Sequence, residues 1–265
     1  MTERSPFILF DPSASDAHDS SAHAGSVEFS LDLFGGAMDM AIAWTAKAAR
    51  LSDLVPVART LCDSVVAPAC ASLAEQGDSV SCTKGCSHCC HYLVGVTAAE
   101  AFCLYREIMA MPEARQVAII SESITAAQAI AVKGLGDMKA ADPSGLSHWY
   151  GDLDISCPAL RDGVCSMYEQ RPLACRECLT TSQPDRCKKD SVEAAEPVVL
   201  PLSIARVLMK TSDQVRQDTS QIVPFALALP WCDANASEDR LFDAELLAGT
   251  FVEALQENTT SQQGE

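Results

Sequence analysis

Basic side chains are scarce in this sequence: 19 Lys and Arg stand against 36 Asp and Glu, giving a net charge of −17 over 265 residues. A surface of that sign repels phosphate backbones and anionic lipid, which argues against nucleic acid and membranes as partners. Aromatic residues make up only 6%, so the core has to be built mainly from Ala, Leu, Val and Ile. Long apolar runs are missing as well. The most apolar stretch, Ile222 to Trp231, carries two prolines and falls short of the ~20 residues a bilayer span requires. The opening MTERSPFILFDPSAS lacks a basic stretch followed by an apolar run and a small-residue cleavage site, so no secretory signal is expected. No glycine-rich nucleotide loop is evident either: Gly134-Leu135-Gly136 is short and follows a helical pattern rather than a strand. These absences together predict a cytoplasmic protein.

What the sequence has in quantity is cysteine, thirteen residues in all. In an oxidising compartment they would suggest disulfides. In a reducing cytosol, clustered cysteines more often bind metal or do redox chemistry. The hydrophobic share of 48% is enough to bury a full-sized core.

Strand signals look few, and the expected fold class is mainly α: a helical, loop-rich single domain organised around a Cys-ligated metal centre, with helical N- and C-terminal extensions. Residues 1–35 are expected to be a disordered or loosely attached tail, since 11–30 are rich in Ser, Ala, Asp and His without an apolar period. Its His18 and His23 read as solvated. Residues 36–80 read as an Ala-rich helical extension with breaks or starts at Pro56 and Pro68. There Cys62 and Cys70 read as packed, small apolar residues. The cysteine domain is placed at 81–190. Within it Thr97-Ala98-Ala99-Glu100 forms a capping box that starts a helix carrying Phe102, Tyr105 and Met109, with Cys103 packed in the same helix. A second helix from Pro112 is expected to bury Val117, Ile120, Ile124 and Ala127 and to end at Gly134, before a loop over 134–156. Residues 191–257 are expected to be a helical extension. One helix spans about 201–217, and another is capped by Ser237 and buries Leu241, Ala244, Ala248, Phe251 and Leu255. A polar tail covers 258–265.

The chemistry sits in two groups. The first is Cys82-Thr83-Lys84-Gly85-Cys86-Ser87-His88-Cys89-Cys90-His91; the second runs from Cys157 through Cys165 to Cys175-Arg176-Glu177-Cys178, with Cys187 beyond. Short C-x2-C and C-x3-C spacings let a tight turn aim two sulfurs at one point while its amides donate to the thiolates. Zinc takes four such ligands, and a cubane iron–sulfur cluster takes four thiolates. The candidate metal ligands are therefore Cys82, Cys86, Cys89, Cys90, Cys157, Cys165, Cys175 and Cys178, with His88 and His91 as substitutes. Neighbouring Cys89 and Cys90 rarely both reach one small ion, which favours a larger cluster, two centres, or a thiol left free. Thiolates around a cation leave net negative charge. Residues 157–189 answer it with six basic side chains against four acidic ones, and Arg171 and Arg176, flanking Cys175, are candidate donors to the thiolates.

Tyr168-Glu169-Gln170-Arg171-Pro172-Leu173-Ala174-Cys175-Arg176, taken with C-x3-C-x2-C-C and C-P-x-L-x2-G-x-C, resembles the YkgJ-like cysteine-cluster family of zinc- or iron-chelating domains. The resemblance covers about residues 80 to 180 and implies metal binding. A related group methylates lysines on flagellin, apparently with an iron–sulfur cluster and S-adenosylmethionine. This chain departs from the usual pattern in its long insert before Cys157 and in Cys178 and Cys187.

Three functions follow as expectations. The first is a metal-binding protein holding an iron–sulfur cluster, with 4Fe-4S the expected kind, or zinc, for structure, electron transfer or metal handling. The second is a cluster-dependent enzyme such as an S-adenosylmethionine-dependent lysine methyltransferase acting on a protein substrate, with Tyr168, Glu169 and Arg171 beside the centre. The third is a thiol redox sensor.

Overall fold

The computed structural model describes residues 5–13, 23–33, 36–133, 149–219 and 221–262. The Gly134 helix end, the 134–136 glycines, His18 and most of the expected 134–156 loop lie outside them.

The N-terminal segment is a sheet, not a tail. Strands β1 (Phe7–Phe10), β2 (Gly25–Leu33) and β3 (Gly36–Trp44) form it, antiparallel in the order β1-β3-β2. Leu33 lies opposite Gly36 and Gly25 opposite Trp44. The cause is a two-residue alternation: Val27, Phe29, Leu31 and Leu33 turn to one face, with Glu28, Ser30 and Asp32 turned to water. Phe7, Phe29, Leu31 and Ile42 are buried in the main core. The expected helix at 36–80 is thus corrected in its first half. A short β4 (Ala48–Arg50) follows, and α1 (Val55–Glu75) begins only with Pro56 in its first turn. Pro68 lies inside α1 without ending it.

Helix is still the main ingredient. β5 (Gly95–Thr97) leads into α2 (Ala98–Met109), where the capping box forms as read: Thr97 Oγ1 accepts the Glu100 amide, and the Glu100 carboxylate accepts the Thr97 amide. α3 (Glu113–Lys133) forms as well, but its buried residues are Ile119, Ser123, Ala126 and Ile130, while Val117 and Ile124 are exposed. The expected stripe was one residue out of phase. The second cysteine segment contains the short α4 (Leu173–Glu177), and after it come α5 (Ile204–Arg216, capped by Ser203), α6 (Ala228–Ala234) and α7 (Ala244–Gln262). Asp243, not Ser237, caps α7 by accepting the Leu246 amide. The expected polar tail is helical through 262, with Asn258 donating back to the Ala254 carbonyl.

The ends of the chain build the main core together. Leu31 and Ile42 of the sheet, Leu54, Leu61 and Val65 around α1, Val207 and Leu208 of α5, and Leu247, Phe251 and Leu255 of α7 form one buried cluster. Leu173 of the cysteine region lies in the same cluster. A second cluster gathers α2, α3 and α6 through Phe102, Leu104, Ile108, Ile119 and Leu229. Leu51–Glu75 is the one helix among the described residues long and apolar enough to cross a membrane, but half of that stretch is buried within the fold. Its Cys62 lies in the main core, and burial pushes the thiol up to about 12. Cys103 is likewise buried and pushed up to about 12, whereas Cys70 is half-buried.

Leu31 separates the sheet from the tail reading. In a sheet, Leu31→Ala should cost about 2–5 kcal/mol in urea unfolding; in a loose tail the midpoint would not move.

Candidate metal centre

The two cysteine segments are strapped together at both ends. At one end the Cys157 amide donates to the Cys90 carbonyl at 2.7 Å; at the other the Ser81 amide donates to Thr180 O at 2.9 Å and its hydroxyl to Ser182 O at 2.5 Å. Each segment also turns tightly. Gly85 has φ of +103°, a left-handed geometry that L side chains rarely adopt, and it lets the Cys86 amide reach back to the Thr83 carbonyl. In the second segment Leu160–Arg161 pairs with Val164–Cys165 through Asp162 and Gly163, both at positive φ, which is the Asp-Gly pattern of a two-residue hairpin.

This strapping lines one cavity with Cys82, Cys86, Cys89, Cys90, Cys157, Cys165, Cys175 and Cys178. All eight expected ligands are brought together, although 66 residues separate Cys90 from Cys157. His88 and His91 lie in the 3-10 turn that carries Cys89 and Cys90, but neither lines the cavity. Cys187 stays off the lining yet lies within electrostatic reach of Cys82 and Cys86. Among the described residues no three ligand-type side chains already close on one point; the thiols stand around the wall.

The surroundings fit a cation held by thiolates. The backbone amides of Ala159 and Leu160 beside the Cys157 thiol, and that of Met167 beside Cys165, favour the thiolate form, and the Leu160 amide donates to the Cys157 carbonyl at 2.9 Å. Arg171 lines the cavity, stacks on the Tyr168 ring at 4.3 Å, and has a buried Nε with no hydrogen-bond partner. A buried unpaired donor is costly, and sulfur bearing the charge of a metal–thiolate centre would satisfy it. Burial pushes the thiols of Cys157 and Cys178 up, to about 12 and about 11, and raises Cys175 well above its ordinary value. In the vicinal pair the hydrogen bond between the thiols lowers Cys89 and raises Cys90. A bound metal has to displace most of these protons.

Arg176 is corrected. Its guanidinium does not serve the cavity thiols: it clasps both carboxylate oxygens of Asp63 on α1 at 2.6 Å and donates to the Arg171 and Glu169 carbonyls. Sequence reading also missed Glu177, which lies between Cys175 and Cys178 and accepts the Ser203 hydroxyl and the Ala205 amide at the start of α5. Its position in C-R-E-C was visible, but its partner 28 residues away was not.

Residues 81–198 match the family described as a "Putative zinc- or iron-chelating domain". The match agrees with the cysteine-cluster family that the motif resembles and spans under half of the chain. No curated protein and no solved structure matches the chain. The match supports metal binding in general, and its span takes in every thiol that lines the cavity.

Cys175→Ser should lower metal content by half or more and destabilise the purified protein, because metal affinity is then folding free energy. Cys62→Ser should leave metal content at the wild-type level. Elemental analysis of both variants checks this; equal content in the two would reject the ligand set.

Proposed function

We propose that this protein is a metal-binding protein whose cysteine-cluster domain holds an iron–sulfur cluster, of the four-iron kind, for electron transfer or metal handling. The carrying observation is that eight thiols from two distant segments line one cavity of ≈ 70 Å³. That is several times the roughly 10–15 Å³ that admits a single water, so there is room for more than one bare ion. A single centre, zinc or cubane, would use four of these eight thiols, so the room in the cavity and the vicinal pair carry the preference. Two neighbouring thiols at 89 and 90 suit a group with several metal corners better than one small ion.

A reading as an S-adenosylmethionine-dependent enzyme draws less support. Small-molecule cofactor sites occupy about 300–1,000 Å³, well above this cavity. The residues with catalytic chemistry beside it are engaged with one another: Glu169 pairs with Lys84 at 3.0 Å, and Arg171 stacks on Tyr168. When bound, the cluster would supply one-electron redox chemistry; the chain supplies thiolates, amide dipoles and the Arg171 guanidinium. Such a centre belongs in a reducing compartment, and the cytoplasm is the location we propose.

Anaerobic purification with iron, acid-labile sulfide and zinc analysis tests this. Iron and sulfide in near-equal amounts, about four per chain for a cubane, with broad visible absorption, is the expected result. Zinc without sulfide would overturn the cluster, and absence of all three would overturn metal binding.

A further inference from the structure

A five-residue helix has almost no stability of its own, because nucleation costs more than so few bonds return. Yet α4 carries Cys175, and Cys178 is its C-terminal cap. Its direction must be set from outside, and three contacts do so. Arg176 reaches Asp63 of α1, and Glu177 reaches the start of α5. The third contact is at the N-terminus, where the Leu173 amide donates to Glu100 Oε1 at 2.8 Å.

Glu100 is 1% exposed and lies 73 residues from Leu173 in the chain. Its other oxygen, Oε2, accepts the Thr97 amide at 3.1 Å and the Thr97 hydroxyl at 3.2 Å. An ordinary capping box needs only that second set. Here the carboxylate serves two helix starts, one oxygen for each. The short helix with the ligand candidates is thereby locked to a twelve-residue helix seated in the second core cluster.

We propose that Glu100 is a positioning residue of the metal centre: by capping α2 and α4 with one carboxylate, it fixes where Cys175 and Cys178 present their sulfurs. This rests on the metal-binding reading above. Residues that orient ligands through a second contact typically change metal affinity by roughly 10–100-fold when removed.

The test uses the full-length chain, stripped of metal under reducing conditions and titrated with Co²⁺. The readout is thiolate-to-cobalt charge-transfer absorption, with affinity set by chelator competition. Glu100→Gln keeps the size but has one acceptor oxygen, so one helix start is left facing an amide NH2. Glu100→Asp keeps the charge but is a methylene too short to span both. Thr97→Ala damages the α2 cap and leaves the Leu173 contact in place. Both Glu100 variants should bind Co²⁺ roughly 10–100-fold more weakly with a shifted charge-transfer band, while Thr97→Ala lowers the urea midpoint and keeps wild-type affinity and spectrum. Should Glu100→Gln fail to fold, Glu100→Asp carries the comparison. Wild-type affinity in a folded Glu100 variant would overturn the proposal, as would an equal loss in Thr97→Ala. A wild-type chain with no cobalt–thiolate band, and with no iron, sulfide or zinc as purified, would overturn the metal-binding reading itself, and this inference with it.

Discussion

Crowding thiols into a partly buried cavity opposes their ionisation, because burial penalises each thiolate and every ionised neighbour repels the next. Cys157, Cys175 and Cys178 are all raised for that first reason. Only a cation among the sulfurs reverses the balance, and then amide dipoles and a nearby guanidinium become favourable partners instead of idle ones. That constraint explains the local features around the cavity. The turn at Gly85, the Asp162-Gly163 hairpin and the amides of Ala159, Leu160 and Met167 aim sulfurs and donors together. The free Nε of Arg171 then has a charge to meet.

The rest of the fold holds two segments in register that would otherwise drift apart. Closing a loop of 66 residues costs conformational entropy that grows slowly with length, and the backbone straps at Cys157–Cys90 and Ser81–Thr180 hold its two ends together. The second segment is also rooted in both main clusters, with Leu173 in one and Ala159 and Met167 in the other. Small movements in either cluster would therefore reach the thiols, so stability and metal affinity should be linked.

Much of the site was legible because its signals are local. C-x3-C-x2-C-C and C-P-x-L-x2-G-x-C state their turns and donors within a few residues, and the Thr97–Glu100 capping box needs only four. Partners across the fold were not legible. Arg176 beside Cys175 read as a donor to thiolates, yet it turns to Asp63, and Glu100 read as a cap for one helix while it serves two. The N-terminal sheet was missed for another reason. Val27-Glu28-Phe29-Ser30-Leu31-Asp32-Leu33 alternates cleanly, but the Ser- and Asp-rich stretch before it and the Ala-rich stretch after it suggested a tail and a helix. In α3, isoleucines at 119, 120, 124 and 130 allow two adjacent stripes, and packing against α2 and the Phe225–Leu227 turn selects the one through 119 and 130. Composition alone does not choose between them.

X-ray absorption at the edge of the bound metal, on the anaerobically purified full-length chain, tests the central claim most directly. A first shell of sulfur alone, near 2.3 Å if the metal is zinc, is the result this account predicts, with a second metal shell added if the occupant is an iron–sulfur cluster. A shell dominated by nitrogen or oxygen would contradict it, because the cavity offers thiols and neither histidine.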